Sequence, residues 1–114
     1  MRSVDEIPLA PVDRQAVRRA AAVLRDLFPV ARIVLFGSKV RGAAAPESDI
    51  DLLVLTRRPL DQRTKAGIVE ALYDLQLELG VVVSTLVASV EEWEQGYFRV
   101  LPIHDEVERE GVLA

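Results

Sequence analysis

Two short runs rich in β-branched and apolar residues, Arg32-Ile33-Val34-Leu35-Phe36 and Asp49 to Leu55, flank a segment broken by Gly37, Gly42 and Pro46. Runs of this length between glycine and proline read as strands. The segment between them has room for one helical turn, Ser38 to about Arg41, before Gly42 breaks it and a loop through Pro46 follows. Side chains alternate along a strand, so Asp49, Asp51, Leu53 and Leu55 share one face. Ile50, Leu52 and Val54 take the other face and are expected to be buried. Aspartate is disfavoured in strands, so two at the start of an otherwise apolar run need a reason.

The rest of the chain supplies cover for such strands. Asp13 is placed to cap a helix reaching about Leu27, with Val17, Ala20, Ala21, Leu24, Leu27 and Phe28 at helical spacing and Arg18, Arg25 and Asp26 opposite. Pro29 ends it, and residues 1–11, with Pro8 and Pro11, read as an irregular arm. A second long helix starts at Asp61 or Thr64 and runs to about Leu79, its stripe being Ile68, Leu72, Leu75 and Leu79, with Gly80 at the C-cap. Val81 to Val87 reads as a third strand. Ser89, followed by Glu91 and Glu92, has the form of an N-cap with an acidic first turn. That helix ends near Gly96, and Pro102 to Glu110 forms a last one stopped by Gly111. The order implies an α/β or α+β fold, a small sheet covered by helices, in a single domain spanning residues 1–114.

Composition narrows the function. Half of the residues are apolar and the mean hydropathy is +0.18, which fits a packed core and argues against disorder. A net charge of −4 argues against a general nucleic-acid binder. No apolar run approaches the length of a membrane span and the first residues do not form a signal h-region, so the cytoplasm is the expected location. With no cysteine there is neither a disulfide framework nor a thiolate metal site.

Gly37-Ser38, after a strand and at the start of a helical turn, offers backbone N–H groups and a hydroxyl to an anion, and glycine allows close approach. Asp49 and Asp51, two positions apart on one face, have Cα atoms about 6.5–7 Å apart. Carboxylates so spaced can converge on hard divalent cations, with Mg²⁺ the natural candidate because it binds through few carboxylates plus substrate phosphates. Lys39 and Arg41 either neutralise phosphate charge or are simply solvated. A phosphate turn beside a carboxylate pair indicates nucleoside triphosphate chemistry.

The pattern Gly37-Ser38, ten residues, Asp49-x-Asp51, with Arg41-Gly42 inside it and an apolar strand before it, resembles the DNA polymerase β-like nucleotidyltransferase superfamily. Within it the chain looks like the minimal nucleotidyltransferases, from the first helix to the final Glu-Gly-Val-Leu. The resemblance implies a polymerase β palm-like fold with a small mixed sheet. It implies that Gly37 and Ser38 hold the β- and γ-phosphates of an NTP, ATP being expected, and that Asp49 and Asp51 bind two Mg²⁺ ions. The family carries a third carboxylate on the next strand, where this chain has no acid; Ser84 is the nearest match, and Glu47 or an acid from a partner is a possible substitute. Minimal nucleotidyltransferases are typically encoded beside a HEPN-domain protein and, in toxin–antitoxin pairs, adenylylate it, so transfer of AMP to a HEPN partner is the expected activity. The acceptor site is then shared with another chain or a second copy. The competing reading is a non-catalytic or degenerate antitoxin module acting by contact; antibiotic nucleotidyltransferases are set aside because they carry an extra helical domain.

Other residues read as structural. Arg14, Arg18, Arg19 and Arg25 form a solvated helix face, and His104 is expected on the surface. Trp93, Tyr97, Phe98 and Tyr73 are expected to serve as core or interface anchors.

Overall fold

The computed structural model describes residues 1–42 and 45–114. Its elements are α1 (Pro11–Leu27), β1 (Val30–Phe36), α2 (Ser38–Arg41), β2 (Ile50–Thr56), α3 (Gln62–Ala71), α4 (Tyr73–Leu79), β3 (Val83–Ser89), α5 (Val90–Gln95), α6 (Pro102–Glu110) and β4 (Val112–Leu113). A 3-10 turn, Tyr97–Val100, joins α5 to α6. The strands form one mixed sheet in the order β3-β2-β1-β4. β1 runs antiparallel to β2 and to β4, and β2 runs parallel to β3.

Alternation along β2 sends its side chains into two cores. Ile50, Leu52 and Val54 pack with Val17 and Leu24 of α1, Ile68 of α3 and Leu75 of α4. Leu53 and Leu55 pack on the opposite face with Val34, Trp93 of α5 and Val107 of α6. Helices therefore cover both faces, and Leu52 to Leu55 are wholly inaccessible.

The helix ends follow local chemistry. Ser89 and Glu92 form a reciprocal capping box on α5, the side chain of each accepting from the backbone N–H of the other. Asp61 caps α3 through Thr64 N–H at 2.8 Å, and Gly80 ends α4 in the left-handed region at φ 67°.

Four local features depart from the sequence expectations. Asp13 does not cap α1: Pro11 begins the helix, its fixed φ suited to the first position, and Asp13 lies buried in the first turn. The expected irregular arm holds a 3-10 turn, Val4–Glu6, with Val4 and Ile7 in the core, and Ser3 bridges to Leu113. The second long helix is broken at Leu72, whose N–H bonds to Val69 O in the tighter i−3 manner while its side chain lodges in the core. β4 was not foreseen, since a two-residue strand has no periodicity to read.

Candidate active site

The sheet brings the Gly37 turn and the carboxylates together. Phe36 at the end of β1 faces Asp51 across the antiparallel ladder, so Gly37 emerges directly against the Asp51 carboxylate. Gly37 has φ 81°, and a Cβ there would overlap Asp51 Oδ2. Glycine is thus required for both its backbone angle and its missing side chain. α2 follows as a single turn between Gly37 and Gly42, the latter at φ 72°.

Asp49 is exposed just before β2, and Asp51 is half-buried within it. Burial pushes the Asp51 carboxyl above its ordinary range, and the negative charges of Asp49 and Glu106 push the same way; Arg41 opposes them. Ser84 lies opposite Asp51 in the parallel β2–β3 ladder, and its hydroxyl donates to Asp49 Oδ2 at 3.0 Å. Ser84 thus sits within the carboxylate group and adds a hydroxyl without a charge. Glu47 is exposed on the turn before Asp49. Among the described residues, no group of three or more His, Cys, Asp or Glu side chains stands close enough together to hold a metal ion.

The two cations of α2 part company. Arg41 is exposed and pairs with Glu110 at 3.1 Å and Glu106 at 3.5 Å, both on α6. Lys39, expected beside it on the open turn, is instead buried. Its Nζ donates to Asp13 Oδ2 at 3.0 Å and to the carbonyls of Pro46 and Ala45 at 3.3 and 3.5 Å. That allocation occupies the ammonium donors, and it corrects the expectation of a solvated Lys39.

Asp13, Glu106 and Glu110 escaped the sequence reading. Glu106 and Glu110 carried a faint signal, being four apart on one helix face; Asp13 was misread as a cap. His104 is also corrected: it is buried and stacked on Trp93 with ring centroids 4.7 Å apart, because α6 turns it under α5.

Residues 17–110 match the family model described as Nucleotidyltransferase domain, and the chain belongs to that family. It is 40% identical over 79 residues to the bifunctional uridylyltransferase/uridylyl-removing enzyme of Bordetella pertussis, a match covering 64% of this chain and 9% of that enzyme. It is 37% identical over 54 residues to the "Putative protein adenylyltransferase MJ1379" of Methanocaldococcus jannaschii, covering 47% of this chain and 48% of that protein. The matched stretch is therefore less than half the length of either relative.

Among solved structures, a "putative minimal nucleotidyltransferase" superposes with TM-score 0.60 at 30% identity over 88% of this chain and 93% of that one. A chain from the complex of tri-AMPylated Shewanella oneidensis HEPN toxin with MNT antitoxin superposes with TM-score 0.55 at 20% identity, over 89% and 70% respectively. The fold is that of the minimal nucleotidyltransferases.

Proposed function

We propose that this chain is a Mg²⁺-dependent adenylyltransferase that moves AMP from ATP to an acceptor hydroxyl on a HEPN-type partner, acting as that partner's antitoxin. The observation that carries this reading is the close approach of Gly37 to the Asp51 carboxylate, which leaves no room for a Cβ and sets a glycine-serine turn directly beside a pair of carboxylates. The family membership supports nucleotidyl transfer. The names of the archaeal relative and the toxin complex support adenylylation of a protein.

In this reading the Ser38 hydroxyl and the first N–H groups of α2 hold the terminal phosphates. Asp49 and Asp51 hold Mg²⁺; two carboxylates and the Ser84 hydroxyl are hard oxygen donors that fit it. The ion, when bound, neutralises triphosphate charge and polarises the α-phosphate. Arg41 exchanges its exposed carboxylate partners for a phosphate oxygen. An acceptor oxygen then bonds to the α-phosphorus, the bond to the β-phosphate oxygen breaks, pyrophosphate leaves and the hydroxyl proton passes to solvent.

The second reading, an antitoxin acting by contact alone, is favoured by Ser84, which brings a hydroxyl and no charge to the carboxylate pair. Incubation with α-labelled ATP and a HEPN-domain protein as candidate acceptor separates the two. Label on the partner that vanishes with Asp49→Asn and Asp51→Asn supports transfer. Neutralisation of the partner by that double variant, without label, supports contact alone.

A further inference from the structure

We propose that Lys39 and Asp13 are positioning residues that fix the Gly37–Gly42 turn against the loop entering Asp49. The inference rests on the nucleotide reading above for its functional consequence, but its structural part stands on the pair itself. Lys39 is the second residue of α2, on the turn assigned to the phosphates. Its side chain is 5% exposed and that of Asp13 is 8% exposed, so the ion pair is almost wholly out of water. A buried ammonium needs both a counter-charge and hydrogen-bond partners. Asp13, projected from the first turn of α1, supplies the charge at 3.0 Å. The carbonyls of Ala45 and Pro46 supply the remaining acceptors.

One side chain thereby ties three segments together: the start of α1, the phosphate turn, and the loop that carries Ala45 and Pro46 toward Asp49. Ser48 reinforces that loop, its N–H and hydroxyl both donating to Ala45 O, at 3.0 and 2.8 Å. Glycines at both ends leave α2 with little backbone stiffness of its own. The ammonium fixes the turn from beneath, while Arg41 on the outer side remains free to change partners.

The pair is tested with Lys39→Met, which keeps the stem and removes the ammonium, and with Asp13→Asn, which keeps Lys39 charged. AMP-PNP affinity in the presence of Mg²⁺ is measured well below each variant's Tm. A positioning role predicts that both variants weaken binding by about tenfold, the equivalent of roughly 1.4 kcal/mol. The double variant then loses no more than either single one. Both variants also speed amide exchange at Ser38–Gly42 and Ala45–Asp49 while the β2 core stays protected. If Lys39 were a phosphate ligand, Asp13→Asn would bind as well as the parent or better, and that result overturns the proposal. Should the parent itself bind no AMP-PNP, the nucleotide reading fails separately, and exchange alone decides: unchanged rates in both variants overturn the proposal, and faster rates at the turn and loop uphold it.

Discussion

The two ends of β2 are built for opposite purposes. From Leu52 to Leu55 every side chain is shut away between helices, with apolar neighbours on both faces. At the other end Asp51 is half-buried beside Asp49 and near Glu106, and its carboxyl is held above its ordinary range. One end gathers stability from burial, and the other accepts an electrostatic penalty. Such unfavourable groupings of charge concentrate where a protein binds or reacts, because a ligand cation removes the penalty.

Three substitutions test that contrast. Leu53→Ala removes a wholly buried side chain packed with Val34, Trp93 and Val107. It should cost about 2–5 kcal/mol, measured by denaturant unfolding; a loss no larger than that of a surface change would refute the picture of a tightly packed half. Gly37→Ala places a methyl group against the Asp51 carboxylate at a backbone angle alanine resists. A loss of about 1–3 kcal/mol is expected, together with loss of Mg²⁺–AMP-PNP binding by calorimetry.

Asp51→Asn is expected to have the smallest effect on stability, and the opposite sign. A carboxyl whose folded pKa lies above its ordinary 3.8 binds its proton more tightly in the folded state. It therefore favours folding in acid, and this contribution disappears as pH rises from the unfolded value through the raised folded one. At neutral pH the variant should melt slightly higher than the parent, with the gain vanishing below pH 3.8. A lower Tm at neutral pH would show that Asp51 is structural. Salt should shrink the difference by screening the repulsion from Asp49 and Glu106, which outweighs the attraction of Arg41.

Much of the fold was legible because its signals are local. The Ser89 cap, the Gly80 stop and the alternation in β2 depend on residues within a few positions of one another. The spacing from Gly37 to Asp51 was legible for the same reason, as one turn between two short strands. What escaped depends on distant pairing. Asp13 and Lys39 meet only because the fold brings the first turn of α1 to α2, and His104 is buried only because α6 folds beneath Trp93. The two-residue β4 exists only because β1 leaves an edge for it. Ser84 lay between these cases: its place opposite Asp51 needs the parallel register of β2 and β3, which no local pattern specifies.

The overlap between Gly37 and Asp51 also has a genetic consequence. A side chain at position 37 and a carboxylate at position 51 compete for the same space, so the two positions should behave as a linked pair under selection. A destabilising Gly37→Ala is partly suppressed by shortening residue 51, as in Asp51→Ala, which relieves the overlap though not the backbone angle. A screen for soluble protein would recover that suppressor, whereas a screen for nucleotidyl transfer would not. The difference between the two harvests separates what the cell needs from this turn as architecture from what it needs as chemistry.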